Sequence, residues 1–244
     1  MNASAGTRRI ERVRYELKRR DVEVRRIDLL GKNFLSITFG GDALEDFVSG
    51  SFDDHVKFMF VDEDGELIAR DYTPRHYDRD RRELTIEFVR HGDGKASEWA
   101  ANAAIGQHAV IGGPRGSMII PTDYDWHLLI GDETALPAIH RRLDELPAAT
   151  EATVIVLSDV DDRRSFEGAA RLNVQWVASP DALIQALLAW QVPAGEGFAW
   201  GAGEASVMTR LREILLRDKG LPKEAMRVAA YWKRGASSFH QNLE

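Results

Sequence analysis

Two hydrophobic periods divide the chain. Branched and aromatic residues first gather in short runs at 22–30, 34–39, 55–60, 69–77 and 84–89. Turn chemistry separates them: Gly31-Lys32-Asn33, Gly40-Gly41-Asp42, Asp62-Glu63-Asp64-Gly65 and residues 78–82. With a further short strand at 110–112, such closely spaced strands predict a small closed barrel, into which one helix at 95–104 is set. From residue 126 the pattern changes. Apolar strands at 126–130, 153–157, 173–177, 198–201 and 228–232 alternate with helical stretches at 135–146, 181–190 and 205–219. That alternation predicts a parallel sheet covered on both faces. The expected division is a barrel domain over 1–123 and an α/β domain over 124–244. At the start, Ile10, Val13 and Leu17 recur at i, i+3 and i+7 among Arg and Lys, predicting a short amphipathic helix with a basic face over 8–20.

Composition narrows the chemistry. The 244 residues are 44% hydrophobic and 29% charged, ordinary for a globular protein. No apolar run is long enough to span a bilayer, so no membrane insertion is expected. The polar first twenty residues lack an apolar h-region, so a cytoplasmic location is expected. Cysteine is absent, which excludes disulfides, thiolate-bound clusters, cysteine-ligated zinc and a cysteine nucleophile. Seven histidines show no H-E-x-x-H spacing, so no protein-bound metal is expected. A net charge of −7 argues against general nucleic-acid binding.

Several stretches carry candidate chemistry. Arg70-Asp71-Tyr72-Thr73-Pro74-Arg75 places two guanidinium groups, a phenol and a hydroxyl on six residues. In an extended segment Arg70 and Tyr72 share one face, Thr73 and Arg75 the other. Pro74 points to an edge or the end of a strand. A flat ring would lie against Tyr72 and an arginine fork would take a phosphate; the plain alternative is a charged, solvated edge. Residues 89–97 lead from a strand into a helix, so glycines and free first-turn amides at Lys95, Ala96 and Ser97 would cradle a diphosphate, unless Ser97 is simply an N-cap. Gly131-Asp132-Glu133-Thr134-Ala135-Leu136-Pro137 follows the first α/β strand, where open sheets bind dinucleotides. It is not G-x-G-x-x-G, and its carboxylates would repel phosphate if they pointed inward. Trp200-Gly201-Ala202-Gly203-Glu204 lets a flat group approach the backbone, and Tyr231-Trp232-Lys233-Arg234-Gly235 joins aromatic faces to two cations. Both also suit a packed strand end.

In this order and spacing, these stretches, with His55-Val56-Lys57 and Gly112-Gly113-Pro114-Arg115-Gly116, resemble the siderophore-interacting protein family. Its members are flavin-dependent ferric-siderophore reductases related to ferredoxin–NADP reductases, and the likeness runs from about residue 22 to 235. The resemblance implies a β-barrel FAD-binding domain followed by an α/β parallel-sheet nicotinamide-binding domain. Arg70, Tyr72 and Thr73 would hold the flavin ring and its phosphate arm, assisted by Arg75. His91, Lys95, Ala96 and Ser97 would line the diphosphate loop, with Trp99 behind it or against the adenine. Asp132, Glu133, Thr134, Gly203 and Glu204 would border NADPH or NADH. Two positions depart from the family: Lys95 stands where proline is usual, and Pro74 replaces a branched apolar residue.

The implied chemistry is borne by the flavin, with no catalytic side chain, between a two-electron nicotinamide donor and one-electron iron(III). The expected substrate is a ferric siderophore or another ferric chelate. Ferric tricatecholates are trianions, so Lys57, Arg115, Lys233 and Arg234 are candidates for a basic dock. After the second α/β strand, Asp159 would favour a free 2′-hydroxyl, whereas Arg163 and Arg164 would hold a 2′-phosphate; the family tips this toward NADPH. Two rivals stand beside this reading: a reductase component serving a ferredoxin-type partner, and a non-catalytic binder of flavin or siderophore.

Overall fold

The computed structural model describes residues 9–90, 94–236 and 241–243. Its first strand, β1 (Glu11–Arg14), overturns the expected N-terminal helix: it pairs antiparallel with Gly116–Ile119. Four residues fit an i, i+3 spacing as readily as a strand, and an isolated short helix is marginal. The open backbone donors of the facing segment decide the matter. Gly116 permits the approach, since a Cβ there would collide with the Val13 carbonyl. Tyr15 extends the contact, donating its amide to the Arg115 carbonyl at 3.0 Å, with its phenol 2.9 Å from Ser117 Oγ.

A seven-stranded antiparallel sheet follows: β2 (Arg19–Leu29), β3 (Phe34–Gly40), β4 (Val56–Val61), β5 (Leu67–Tyr72), β6 (His76–Asp78), β7 (Glu83–Val89) and β8 (His108–Gly112). The helix α1 (Lys95–Ala101) precedes β8, and β9 (Gly116–Ile119) is the partner of β1. The strand order is β5-β4-β8-β2-β3-β7-β6, so β5 and β6 are consecutive in sequence yet lie at opposite edges. Four peptide steps from Tyr72 to His76 reach at most about 14 Å. A flat sheet would hold those edges roughly 29 Å apart, so the sheet must roll. The expected single strand over 69–77 is therefore two strands, and Thr73-Pro74-Arg75 is the seam that joins the edges. Inside the roll, Phe39, Phe58, Phe60 and Phe88 pack around Trp99 of α1, the closest pair being Phe58 and Trp99 at 4.7 Å.

The second sheet has the order β12-β11-β10-β13-β14-β15. Its strands are β10 (Trp126–Asp132), β11 (Glu151–Leu157), β12 (Arg171–Val177), β13 (Gly197–Glu204), β14 (Met226–Trp232) and β15 (Gln241–Leu243). All pair in parallel except β14 with β15. The helix α2 (Leu136–Glu145) covers one face, α3 (Pro180–Ala189) and α4 (Ala205–Arg217) the other. A loop carrying Phe166, stacked on Trp176 at 5.6 Å, stands where a helix would link β11 and β12. No helix among the described residues is long and apolar enough to cross a membrane.

The two halves share a core. Phe34 and Phe52 pack among residues of α2, β10 and β13, and Phe52 meets Trp200 edge-on at 5.4 Å. Polar contacts surround them. Asn33 donates its amide and its side-chain nitrogen to the Asp162 carboxylate, both at 2.7 Å. Arg141 donates to the carbonyls of Ser49 at 3.0 Å and Pro74 at 2.9 Å. Arg75 pairs with Asp144 at 2.9 Å, and Arg164 with Glu87 at 2.8 Å. Buried Asp53 accepts the Trp200 indole N–H at 2.8 Å and forms an ion pair with Arg227. Asp53→Ala should lower unfolding stability by about 3–5 kcal/mol, because the buried Trp200 indole and the mostly covered Arg227 guanidinium lose their carboxylate. Urea denaturation at neutral pH measures this, and a loss below about 1 kcal/mol contradicts it.

Candidate functional site

The seam builds the first part of the site. Tyr72 ends β5 with its ring on Phe88 at 4.5 Å and edge-on to Phe58 at 5.9 Å. Burial pushes its phenol well above the usual range. Arg70, two residues back on the same face, is half-buried and donates to the neighbouring Ala69 carbonyl at 2.9 Å. Among the described residues no carboxylate pairs with it. Asp71 meets Lys57 at 2.8 Å through Oδ2, while its Oδ1 is buried without a partner. Thr73 is buried and hydrogen-bonds the phenol of Tyr231 on β14, tying the seam to the second sheet. Arg75 is committed to Asp144 and, at 3.6 Å, to Glu87.

The diphosphate-loop candidates surround α1. His91 lies outside the described residues. Gly94 is the N-cap of α1, and no side chain caps the first turn, so Ser97 does not serve as the cap. Ala96 is buried and Ser97 half-exposed. The Lys95 ammonium is held by Asp62, with Asp64 at 3.5 Å, and the hydrogen bond to Asp62 raises its pKa. Trp99 faces the barrel core behind this turn.

The third part lies at the carboxyl ends of β10 and β13. The chain runs from β10 outward through β11 and β12, then returns to the other side of β10 with β13 and β14. The reversal makes the β10–β13 gap the topological switch point, where open parallel sheets form their ligand crevice. Asp132, Glu133, Thr134, Gly203 and Glu204 all end strands or begin helices there. Asp132 does not point its charge into an open crevice. Its Oδ1 accepts from the Thr134 amide at 3.0 Å and hydroxyl at 2.5 Å. Its Oδ2 accepts from the Glu204 amide at 2.9 Å and the Trp232 indole at 2.8 Å. Burial, opposed by the Thr134 bond and aided by nearby Glu133, pushes this carboxyl up to about 6. Gly203 holds φ 154°, and a Cβ there would meet Asp132 Oδ2 at 2.5 Å. Glu204 caps α4 through the amides of Ser206 at 2.8 Å and Val207 at 3.2 Å. Burial raises the Glu204 pKa, but hydrogen bonds from Ser206, Val207 and Arg234 outweigh it and hold it low.

The basic candidates fall into two pairs. Strand register sets Lys57 beside Gly112, three residues before exposed Arg115. Exposed Lys233 and Arg234 follow β14, and the Arg234 amide meets Glu204 at 3.5 Å. Beyond β11, Arg164 is turned to Glu87 and lies over the Phe34 ring at 4.7 Å, whereas Arg163 is exposed. Asp159 accepts the Asp161 amide at 3.2 Å. Sequence reasoning gave Asp71, which sits between two chosen residues, no role and read Trp232 only as an aromatic face or a packed strand end. No spacing rule connects an indole on the last long strand to a carboxylate a hundred positions earlier.

The donor set fits FAD. A half-buried cation without a carboxylate and an uncapped helix start suit a diphosphate, and an aromatic floor beside an orphaned acceptor suits a flavin ring. The chain matches the siderophore-interacting FAD-binding domain over residues 23–68 and 61–118, and the siderophore-interacting protein description over 124–235. A relative in Escherichia coli (strain K12), named NADPH-dependent ferric-chelate reductase, is 36% identical, covering 91% of this chain and 96% of its own. This chain belongs to the siderophore-interacting protein family. A siderophore utilization protein from T. fusca superposes with a TM-score of 0.89 at 32% identity, covering 94% of this chain and 98% of the other. The ferredoxin reductase of carbazole 1,9a-dioxygenase superposes with a TM-score of 0.67 at 19% identity, over 87% of this chain and 69% of its own, which shows the ferredoxin-reductase-like fold alone.

The Asp132 environment predicts a pH effect. Its carboxyl titrates at about 6 in the folded chain against an ordinary 3.8, so the folded state holds the extra proton between those values. The contribution of Asp132 to stability is then fully present below pH 3.8 and is lost as pH rises through 6, by roughly 3 kcal/mol at 1.36 kcal/mol per pH unit. Thr134, Trp232, Glu133, Glu204 and Tyr231 face the group. Urea unfolding of wild type minus Asp132→Asn across this window should show that fall; a flat difference contradicts it.

Proposed function

We propose that this chain is an NADPH-dependent ferric-chelate reductase carrying FAD, with a ferric siderophore or similar ferric chelate as substrate. The observation that carries the reading is Arg70, without a carboxylate partner among the described residues, beside Tyr72 and the uncapped α1, joined to the switch-point crevice through Thr73 and Tyr231. The FAD unit spans 1–123 and the nicotinamide unit 124–244. The E. coli relative's name supports both NADPH and chelated iron.

FAD supplies the step between a two-electron donor and a one-electron acceptor. The protein's own part is binding and orientation. Arg70 and the amides of Lys95, Ala96 and Ser97 hold the diphosphate arm, while Tyr72 and Thr73 border the ring. Glu133, Thr134, Gly203 and Glu204, at the ends of β10 and β13, border the dinucleotide, with Asp132 behind them. Arg164 is engaged by Glu87, so a 2′-phosphate is left to exposed Arg163. Lys57, Arg115, Lys233 and Arg234 form the dock for an anionic chelate. Chelated iron arrives already ligated and needs no protein ligand. We place the reaction in the cytoplasm, where NADPH is replenished.

Anaerobic NADPH titration of the purified protein with a ferrous trap tests the whole reading. A yellow protein should bleach and deliver ferrous iron. A colourless protein that refuses excess FAD overturns it, and far faster reduction of an added ferredoxin shifts the acceptor to a protein. Arg70→Ala should weaken FAD binding about 10- to 100-fold, the range for a charge-assisted hydrogen bond. Lys57→Ala and Lys233→Ala should each raise KM for a ferric tricatecholate about two- to fivefold with kcat little changed. Unaltered KM and salt dependence in both variants would misplace the dock.

A further inference from the structure

The turn after β10 uses only one oxygen of Asp132, the one facing Thr134. The other reaches sideways to Glu204 and to Trp232. Trp232 ends β14 in register with Glu204, and β13 lies between β14 and β10. Its indole therefore bridges the end of β13, a span of about 10 Å or two inter-strand steps. Gly203 keeps that passage open, for a side chain there would strike the Asp132 carboxylate. The indole is half-buried and belongs to none of the three apolar cores. Among the described residues no aromatic ring packs against it. Its ring is thus fixed at the N–H, beside the crevice rather than within a core.

A buried carboxylate is expensive to keep, and every neighbour that contacts this one by hydrogen bond is a donor. The group is built to accept. Glu204 reinforces it by accepting the Arg234 amide, so two carboxylates pin the backbone and side chain of the segment leaving β14. We propose that Asp132 is a positioning residue: by accepting the Trp232 N–H it holds the indole as one wall of the crevice against which a nicotinamide dinucleotide lies. A rigid indole face suits a flat heteroaromatic ring, and its fixed rotamer lowers the ordering cost of binding. This inference rests on the dinucleotide reading above.

The test is equilibrium binding of NADP+ to the FAD-loaded protein, which involves no turnover. Trp232→Phe keeps an aromatic face but loses the N–H; Asp132→Asn keeps the shape but turns an amide N–H toward donors. Each should weaken NADP+ binding about five- to tenfold and leave FAD content unchanged. In the Trp232→Phe background, Asp132→Asn should weaken it less than twofold further, because no indole N–H remains to be held. Additive losses overturn the proposal, since Asp132 would then act by touching the dinucleotide or by supporting the fold alone. If Asp132→Asn fails to fold, Trp232→Phe with unchanged affinity overturns it by itself. Wild type that binds neither NADP+ nor NAD+ overturns the dinucleotide reading, and this inference with it. Wild-type binding that neither substitution alters overturns only this inference.

Discussion

A buried carboxylate, Asp53, anchors the meeting of the rolled sheet with the parallel one. It arises from the loop before β4, yet its partners, the Trp200 indole and Arg227, belong to β13 and β14. An ion pair taken from water gains little over a well-packed apolar contact, so its main effect is geometric. It goes with the alignment in which Phe52 is edge-on to Trp200 and Tyr231 is within reach of Thr73. Arg141, Arg164 and Asn33 impose the same alignment from other sides. A flavin and a nicotinamide must meet within bonding distance, so a junction with one geometry is a chemical requirement.

The seam explains why the candidate cofactor residues gather where they do. Closing the first sheet demands a short crossing between its two edges, and regular pairing stops there because Pro74 has no amide to donate. Groups released from the ladder there turn to other partners: the Pro74 carbonyl to Arg141 and Thr73 to Tyr231. Arg70 and Tyr72 stand on the last residues of β5 before the crossing, and Arg75 has joined the far side, where its amide donates to the Thr85 carbonyl at 2.9 Å. The motif is thus split by function: its first half faces the candidate cofactor site and its last arginine braces the junction.

Much of this was legible from residues alone. Continuous apolar runs such as Leu128-Leu129-Ile130 leave one interpretation, and the structure places a buried central strand there. Order and spacing of the weak motifs pointed to the family that the comparisons show. What failed were short segments whose partner decides their form. Ile10 and Val13 read as a helix because β9 was invisible to periodicity, and residues 69–77 read as one strand because edge-to-edge closure is a property of the whole sheet. The carboxylates of Asp132 and Glu133 looked hostile to phosphate. For Asp132 the objection dissolves once its four donors are seen, and those come from three separate strand ends.

The arginines show how a chain of net charge −7 can serve anions. Arg75, Arg141, Arg142, Arg164 and Arg227 are spent on internal carboxylates and carbonyls, and each is largely buried. Their charge is cancelled within a few ångströms and contributes little field outside. Arg70, Arg115 and Arg163 have no carboxylate partner among the described residues, and they sit at the seam, past β8 and past β11 respectively. Local potential follows the unpaired charges nearest a cleft, since screening removes the rest within about 8–10 Å at ordinary ionic strength. The acidic surplus bears on solubility, while cations such as Arg70 and Arg115, lacking a carboxylate partner among the described residues, dominate the field nearest the candidate clefts. Total charge alone therefore says little about the sign of the field at the candidate clefts.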